Sequence, residues 1–390
     1  MNLPKKKVAV LGSTGSVGEQ ALDVCAFGGY AVTGIAAGKS VKRLEEQIRR
    51  FRPAYCAVAD KNAAADLKVR VADTDTVILA GENAAEELAS LTDADTVLNA
   101  VTGFAGLRPT VAAIRAGKDV ALANKETMVA FGEQVTGLAA EKGVKILPVD
   151  SEHCAIFQCL RGNRKEDVRR LIITASGGPF YGKTKEELSR VTAENALAHP
   201  TWSMGKRITI DSSTLMNKGF EVIEAVRLFG VSPDKIDVVI HRESIIHSMV
   251  EYNDSAVIAQ MALPDMRLCV QYALTCPDRL PGQLSPIDFT KLGSLTFAAP
   301  DGEAFPLLPL AFEAVREGGT VPAVMNAADE VAVSLFLAGK IGFLSIPELV
   351  TEVTRNAAAR QKRAEKKELT LKDVEEADRA AREETRRLAV

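Results

Sequence analysis

The sequence has few of the features that mark membrane, nucleic-acid-binding or disulfide-bonded proteins. No apolar stretch reaches the roughly 18 residues that a membrane-spanning helix needs. Basic residues number 48 and acidic residues 51, so the net charge of −3 gives no electrostatic reason to expect a nucleic-acid or membrane partner. The six cysteines include no C-x-x-C pair, and we expect them to be reduced and buried.

The N-terminus is basic but lacks the apolar segment of a secretion signal, so we expect a cytoplasmic protein. Aromatic residues make up only 5% of the 390 residues. The single tryptophan, Trp202, and all four histidines fall between His153 and His247. An even scatter would seldom give this grouping, which places the chemistry in the middle of the chain.

Short Val/Ile/Ala-rich strands alternate with helical segments over the first part of the chain. This alternation predicts an α/β fold with a Rossmann-like, doubly wound parallel sheet, whose ligands bind at the carboxyl ends of the strands. The pattern then becomes α+β with a mixed sheet, in which residues 208–211 are predicted as a strand, and finally all-helical. The predicted division is a Rossmann-like domain at 1–149, a catalytic domain at 150–290, a linker at 291–310 and a helical domain at 311–390.

The first predicted strand leads into Gly12-Ser-Thr-Gly15-Ser-Val-Gly18 and a helix. This context is typical of dinucleotide binding, because the glycines allow a tight turn and the helix start can bind a pyrophosphate. A glycine-rich turn that binds nothing is the alternative. The second strand ends in Gly38-Lys39-Ser40, with no acid for a ribose hydroxyl and several cations, which favours NADP(H). Lys42 and Arg43 could equally be a solvated helix face.

Three carboxylates indicate a metal site. Asp150 and Glu152 follow a strand at positions i and i+2, which would point both to the same side. Glu221 lies about 70 residues downstream, one helical turn after Asn217. Carboxylates without clustered thiolates suit Mg²⁺ or Mn²⁺ rather than zinc. Solvated loop acids and a helix cap are the alternative.

Six motifs, in order, closely resemble the 1-deoxy-D-xylulose 5-phosphate reductoisomerase family. The motifs are Gly12-Ser-Thr-Gly-Ser-Val-Gly18, Ala123-Asn-Lys-Glu126, Pro148-Val-Asp-Ser-Glu-His153, Ser176-Gly-Gly-Pro-Phe180, His199-Pro-Thr-Trp-Ser-Met-Gly205 and Asp211-Ser-Ser-Thr-Leu-Met-Asn-Lys-Gly-Phe-Glu221. The resemblance runs from about residue 8 to the C-terminus and includes Asn326-Ala-Ala-Asp-Glu-Val-Ala-Val333.

The resemblance implies a homodimer that rearranges 1-deoxy-D-xylulose 5-phosphate and reduces the product with NADPH. The implied metal ligands are Asp150, Glu152 and Glu221, which with Lys125 would also be catalytic. The implied substrate contacts are Lys125, Ser151, Glu152, Ser176, His199, Trp202, Met204, Ser212, Asn217, Lys218 and Glu221, with Trp202 and Met204 on a closing loop. The implied coenzyme contacts are Thr14, Gly15, Ser16, Val17, Gly38, Lys39, Ser40, Asn124, Lys125, Glu126 and Gly205.

The chain departs from the family pattern at several positions. Arg242-Glu243 replaces a usual Pro-Gln after His241, and both Ser40 and Asp329 replace a common Asn. None of these changes removes an implied metal or phosphate ligand. Two other functions remain open: a simpler NADP-dependent dehydrogenase, which needs no metal, and a non-catalytic NADP-binding sensor, which needs no cluster of acids and lysines.

Overall fold

The computed structural model of the chain describes residues 6–198, 205–363 and 368–389. The chain divides into two compact units. The first comprises Met1–Thr127, Val135–Cys154 and Asp265–Ser285, and the second comprises Met128–Gln134, Ala155–Pro264 and Pro286–Val390. No helix in the described ranges is both long enough and apolar enough to cross a membrane.

The strands in chain order are β1 (Lys7–Leu11), β2 (Ala31–Ala37), β3 (Tyr55–Val58), β4 (Val77–Ala80), β5 (Thr96–Asn99), β6 (Asp119–Leu122), β7 (Ile146–Pro148), β8 (Val168–Ala175), β9 (Ile236–Ile240), β10 (Ile246–Tyr252) and β11 (Val257–Met261). The helices are α1 (Ser16–Gly28), α2 (Val41–Phe51), α3 (Lys61–Arg70), α4 (Ala84–Leu91), α5 (Leu107–Arg115), α6 (Lys125–Lys142), α7 (Ser151–Leu160), α8 (Lys185–Leu188), α9 (Ala193–Leu197), α10 (Lys206–Ser213), α11 (Met216–Phe229), α12 (Met266–Thr275), α13 (Leu307–Glu317), α14 (Val321–Leu337), α15 (Ser345–Gln361) and α16 (Leu371–Leu388).

The first unit is built on a seven-stranded parallel sheet in the order β4-β3-β2-β1-β5-β6-β7. Strands β2 to β4 extend the sheet on one side of β1, and strands β5 to β7 extend it on the other. This change of side between β1 and β5 creates the switch point where doubly wound sheets bind ligands. The predicted Rossmann-like fold is therefore confirmed. α12 comes from far downstream in the sequence and packs against α1 within this unit.

Burial explains why these segments form these elements. Four of the five residues of β1 are buried, as expected for a short apolar strand inside a parallel sheet. α2 buries Leu44, Gln47 and Ile48, which share one helical face at spacings of three and four residues. Gln47 is a polar residue on this buried face, which is unusual, and its side chain has a bonding partner in the glycine-rich turn after β1.

The second unit contains a four-stranded sheet in the order β11-β10-β8-β9. β8 and β9 are parallel, while the other pairs are antiparallel, which confirms the predicted mixed sheet. Leu171 of β8, Phe220 of α11 and Val350 of α15 belong to one hydrophobic core. The C-terminal helices therefore pack on the same core as the sheet. The boundaries drawn from the sequence between a catalytic and a helical domain stay a prediction.

The prediction of a strand at residues 208–211 is wrong, because these residues lie within helix α10. The segment Ile-Thr-Ile is rich in β-branched residues, but such a short apolar run cannot be assigned by periodicity alone. Its buried positions, Thr209 and Ile210, are adjacent rather than alternating. Packing within the second unit thus overrides a weak local preference.

A largely buried network of charged side chains joins α10 to two C-terminal helices. Arg207 on α10 donates to Glu330 Oε1 (3.0 Å) and to Asn326 Oδ1 (2.9 Å), both on α14. Arg382 on α16 donates to the other carboxylate oxygen of Glu330 (2.6 Å) and to Asp378 (2.7 Å). The two guanidinium groups therefore fix the position of α10 against α14 and α16.

Two further acids lie beside Arg207. Its Nε is 3.5 Å from Asp211 Oδ2, and its Nη2 is 3.7 Å from Asp329 Oδ2. Both acids are buried, and Asp329 is wholly so. Burial, and after it the neighbouring charge of Asp211, raises the pKa of Asp329 well above its usual value. The folded protein therefore favours the protonated form of Asp329 more strongly than the unfolded chain does.

Replacing Asp329 with asparagine removes this titration. The unfolded chain ionises the carboxyl near about pH 4, whereas the folded protein holds the proton up to the raised pKa. The stability contributed by this group is therefore fully present below about pH 4 and is lost as the pH rises through the folded pKa. We expect the free energy of unfolding of Asp329→Asn to rise relative to that of the parent across this range, with a constant difference above it.

Urea unfolding followed by circular dichroism over a pH series measures this difference. Asp75→Asn is the control, because it makes the same substitution at an exposed position. Parallel stability curves for the parent and Asp329→Asn would contradict the assignment of a raised pKa to Asp329.

Candidate active site

The glycine-rich turn after β1 has the geometry of an anion-binding loop. The N–H groups of Gly12 and Ser13 both donate to the carbonyl of Ala36, at 2.8 and 2.9 Å, and that of Gly15 donates to the Gly12 carbonyl at 3.0 Å. α1 then begins at Ser16 without a side-chain cap. A helix start of this kind presents backbone donors and the positive end of the helix dipole to an anion.

Two glycines are required by the close approach of backbone segments in this turn. A Cβ on Gly18 would lie 2.1 Å from the Gly12 carbonyl oxygen, and one on Gly12 would lie 2.4 Å from the Ala100 carbonyl oxygen. Gly12 also has a φ of 78°, which glycine adopts at no steric cost. The turn brings together four predicted coenzyme contacts, Thr14, Gly15, Ser16 and Val17.

The segment between β2 and α2 leaves Gly38, Lys39 and Ser40 exposed. No acidic side chain occupies this strand end, which keeps it suitable for a phosphate rather than a ribose hydroxyl. Arg43, which the sequence left open, forms an ion pair with Glu19 of α1 at 2.9 Å. Its charge is therefore already partly matched within the protein.

Two predicted coenzyme contacts at the start of α6 use their side chains to build the local frame. Asn124 Oδ1 accepts from the Thr127 N–H at 3.0 Å as the helix cap, and its Nδ2 donates to the carbonyls of Val101 (2.8 Å) and Gly103 (2.9 Å). Glu126 Oε1 accepts from the Gly103 N–H at 2.9 Å. Because these groups satisfy one another, they fix the first turn of α6 and the direction of Lys125 between them.

Lys125 meets Asp150 across adjacent strand ends. β6 and β7 are parallel neighbours, and their carboxyl ends are followed by Lys125 and Asp150 respectively. The Lys125 Nζ lies 2.6 Å from Asp150 Oδ2, with side-chain exposures of only 8% and 13%. Burial alone would raise the pKa of Asp150, but Lys125 and then His153 hold it well below its usual range. The first unit therefore contains a buried but ionised carboxylate.

The sequence argument that placed Asp150 and Glu152 on one side of a strand is wrong in its geometry, because β7 ends at Pro148 and α7 begins at Ser151. The Asp150 carbonyl accepts from the Cys154 N–H at 2.8 Å, which places Asp150 at the helix start and Glu152 in the first turn. Ser151 Oγ donates to Glu152 Oε2 at 2.6 Å. The carboxylates are therefore carried by a helix N-terminus, where the dipole favours negative charge.

The second unit holds the other predicted acid. α11 places Glu221 one turn after Asn217, whose Nδ2 donates to Glu221 Oε1 at 2.6 Å. Lys218 makes a very short ion pair with the other oxygen, and Lys218 and Glu221 are both buried. Glu221 is thus a carboxylate whose two oxygens are held by one amide and one ammonium group.

The predicted serines of the second unit also lie close together. Residues 176–178 form a turn after β8 in which the Gly178 N–H donates to Ser176 Oγ at 3.3 Å. A Cβ on Gly178 would lie 2.6 Å from the Ser212 carbonyl oxygen, and Gly178 has a φ of 64°. Glycine at this position therefore allows the Ser176 turn to pack directly on Ser212 at the end of α10.

Three predicted substrate contacts, His199, Trp202 and Met204, lie outside the described residues. Gly205, a predicted coenzyme contact, immediately precedes α10 and is exposed.

The loop that contains Arg242-Glu243, the first departure from the family pattern, is held by hydrogen bonds of His241 and Glu243. His241 Nδ1 donates to the Thr296 carbonyl at 3.0 Å, and its Nε2 accepts from the N–H groups of Ile245 (3.2 Å) and Ile246 (3.1 Å), which requires a neutral ring. Glu243 accepts from the Thr296 hydroxyl at 2.8 Å. The acidic substitution therefore ties this loop to the chain at residue 296.

Sequence reasoning missed two polar residues that support the candidate site. Gln47 of α2 bonds to Ser13 in the nucleotide loop, and Arg207 fixes α10, which ends beside Ser212. The available signal for Gln47 was an amide between the apolar residues Leu44 and Ile48 on a buried helix face.

The chain is similar over most of its length to proteins of known family. Family models described as 1-deoxy-D-xylulose 5-phosphate reductoisomerase, its C-terminal domain and the DXP reductoisomerase C-terminal domain match residues 8–132, 146–229 and 261–384. The chain is 54% identical over 347 residues to the reductoisomerase of Acetivibrio thermocellus, covering 89% of this chain and 91% of the relative. It is 50% identical over 382 residues to that of Clostridium botulinum, covering 97% and 98%.

Solved structures give the same result. The chain is similar to the Zymomonas mobilis reductoisomerase in complex with NADPH, with a TM-score of 0.90, 42% identity and coverage of 98% and 99%. It is also similar to a reductoisomerase in complex with NADPH, fosmidomycin and magnesium, with a TM-score of 0.94, 36% identity and coverage of 98% of each chain. From the family models and these full-length relatives, the chain belongs to the 1-deoxy-D-xylulose 5-phosphate reductoisomerase family.

Proposed function

We propose that this chain converts 1-deoxy-D-xylulose 5-phosphate into 2-C-methyl-D-erythritol 4-phosphate. The carbon skeleton of the ketose phosphate is first rearranged, and the resulting aldehyde is reduced by NADPH. The observation that carries the proposal is the buried, ionised Asp150, paired with Lys125 at the carboxyl ends of β6 and β7. A charged carboxylate at this edge of the sheet suits a metal-dependent rearrangement, whereas a simple dehydrogenase needs no metal.

NADPH is the proposed coenzyme, and the first unit has features that fit it. The tight turn at Gly12 and Gly18 would hold the pyrophosphate against the start of α1. Lys39 and Ser40, exposed at the end of β2, would meet the 2′-phosphate. When bound, the coenzyme supplies a hydride for reduction of the aldehyde.

Asp150, Glu152 and Glu221 are the proposed ligands of Mg²⁺ or Mn²⁺. The fit rests on donor chemistry, because all three offer hard oxygen atoms and two of them have lysine partners that offset their charge. A divalent cation would polarise the substrate ketone and stabilise negative charge developing on oxygen.

The remaining residues would bind and orient the substrate. We propose that Ser176, Ser212 and Asn217 hold the phosphate with Lys218 and His199, since hydroxyl, amide and ammonium groups donate well to phosphate oxygens. Lys125 would contact both coenzyme and substrate, because its ammonium is fixed beside Asp150. Phosphate binding far from the reacting carbons can help to orient the substrate and exclude water.

NADPH oxidation with 1-deoxy-D-xylulose 5-phosphate, followed by absorbance in Mg²⁺ and then in excess chelator, tests the proposal. We expect oxidation that depends on the metal and yields an erythritol phosphate. Oxidation that persists in chelator would instead identify a simple dehydrogenase. NADPH binding without any turnover would support a sensor.

Replacing Glu221 with glutamine tests its proposed role as a ligand. The amide keeps the shape of the side chain but removes the charge that would bind the cation and that pairs with Lys218. We expect turnover to fall by at least about 10³-fold, since both the metal and the position of Lys218 are affected. The affinity for NADPH should stay within about twofold, because the proposed coenzyme contacts lie on other segments.

Steady-state kinetics and NADPH fluorescence titration give the two readouts for Glu221→Gln. Glu376→Gln is the charge-matched control, because Glu376 is an exposed residue of α16 whose nearest cation, Lys372, is 3.8 Å away. Near-normal activity of Glu221→Gln would remove Glu221 from the metal site.

We also infer a homodimer that associates through the sheet of the second unit. β11 is an edge strand and exposes Val257 (49%) and Ile258 (41%), an apolar edge that proteins usually cover. We expect the parent to sediment as a dimer and Ile258→Lys to sediment as a monomer with unchanged circular dichroism. A monomeric parent would refute this association. We also propose a cytoplasmic location, as expected from the sequence.

A further inference from the structure

Gln47 forms a two-point hydrogen-bonded clasp with Ser13. Ser13 Oγ donates to Gln47 Oε1 at 2.7 Å, and Gln47 Nε2 donates to the Ser13 carbonyl at 2.9 Å. Ser13 is wholly buried and Gln47 is only 8% exposed. Both functional atoms of the amide are therefore used on one residue, in a place where water cannot substitute for either bond.

The clasp completes the polar contacts of Ser13. Its N–H donates to the Ala36 carbonyl at 2.9 Å, so its N–H, its carbonyl and its hydroxyl all have partners. Ser13 lies between Gly12 and Thr14 in the turn that precedes α1. Gln47, which lies on helix α2, thus fixes Ser13, a residue of this turn whose side chain is buried.

α2 carries this constraint to a second segment. The helix begins at Val41, directly after Gly38, Lys39 and Ser40. Gln47 lies seven residues after Ser40, which is two helical turns or about 10 Å along the axis, and nearly the same face. A helix is stiff over this distance, so the contact of Gln47 with the turn adds a second link between Ser13 and residues 38–40, beside the backbone bonds of Gly12 and Ser13 to Ala36.

A second contact between the helices cannot replace the clasp. Arg43 pairs with Glu19 of α1 at 2.9 Å, but the arginine side chain is 60% exposed. Exposed pairs of this kind contribute little, because solvent and salt screen them. The buried amide is the stronger constraint on the spacing between the turn and the start of α2.

We propose that Gln47 is a positioning residue for coenzyme selection, which sets the distance between the pyrophosphate turn and the segment that meets the 2′-phosphate. The inference rests on the proposed function, which assigns residues 14–17 and 38–40 to these two parts of NADPH. Gln47 touches neither part of the coenzyme itself and acts through Ser13 and α2. NADH uses only the first part, so it depends less on the spacing.

Gln47→Met is the principal test, because methionine has a similar volume and shape but makes neither bond. We expect the Kd for NADPH to rise by about ten- to one-hundredfold, the usual effect of leaving buried polar groups without partners. The Kd for NADH should rise much less, so that the ratio of the two constants falls. At saturating NADPH, kcat and the KM for 1-deoxy-D-xylulose 5-phosphate should stay near the parent values.

Ser13→Ala is the second variant, which keeps the proposal testable if Gln47→Met fails to fold. It removes the hydroxyl bond and keeps the bond from Gln47 Nε2 to the carbonyl, so we expect a smaller loss of NADPH affinity, about three- to tenfold. Gln271→Met is the matched control. Gln271 also donates its amide to a backbone carbonyl, that of Leu280 at 2.8 Å, but on α12. It should lower thermal stability without changing the affinity for either coenzyme.

Fluorescence titration with NADPH and NADH, together with thermal unfolding, separates the outcomes. A lowered stability of Gln47→Met with unchanged affinity for both coenzymes would overturn the proposal and leave Gln47 a purely structural residue. An equal loss of affinity for both would also overturn it, because the clasp would then hold only the pyrophosphate turn. A parent protein that binds neither coenzyme would refute the proposed function itself.

Discussion

The candidate site depends on keeping a carboxylate charged inside the first unit. Removing Asp150 from water would by itself favour its neutral form, and only the close ammonium of Lys125, with His153, reverses this. Lys125 can serve only if its side chain is aimed at the end of β7. The bonds of Asn124 and Glu126 to the 101–103 segment fix the first turn of α6 and so supply that aim.

The second unit meets the same constraint by a different route. Glu221 is buried with its partners Asn217 and Lys218 on the same helix, so the local geometry of α11 contributes to compensating its charge. α10 likewise places a partner for Asp211 on the same helix, since Arg207, one turn earlier, lies 3.5 Å from it. The position of α10 itself depends on Arg207, which reaches helices more than 100 residues away in the chain. The substrate side of the site is therefore held partly by helix geometry and partly by the C-terminal helices.

Local sequence patterns were sufficient for the elements whose signals are local. Short-range rules predict the strand, glycine turn and helix at the N-terminus. They also predict the parallel arrangement of the strands in the first sheet and the spacing of Asn217 and Glu221. The helix at residues 208–211 was not predicted, because its β-branched residues suit a strand and only packing decides between the two. The joining of α12 to the first unit is a contact between distant segments, which no local period reports.

The supporting residues were missed for a related reason. Gln47 and Arg207 act through partners that are 34 and more than 100 residues away, so their roles exist only in the folded chain. The family resemblance names residues that touch ligands, and it treats Asn124 and Glu126 as two of them. The hydrogen bonds of Asn124 and Glu126 to other residues of the chain give them a structural role as well. A motif alone cannot distinguish that role from contact with a coenzyme.

The departures from the family pattern can be explained by the same principle of local compensation. Arg242 places its guanidinium 5.1 Å from the ring centre of Tyr181, a contact that ordinarily contributes about 0.5–1 kcal/mol. Tyr181 follows the turn at residues 176–178, which packs on Ser212. Glu243, the other change, is bound by Thr296. Arg242 therefore adds a contact beside the turn that carries Ser176, and Glu243 ties its own loop to residue 296. Both substitutions leave the acids and lysines of the candidate site unchanged, and so they bear on the rigidity of the loops around them rather than on the groups that would carry the chemistry.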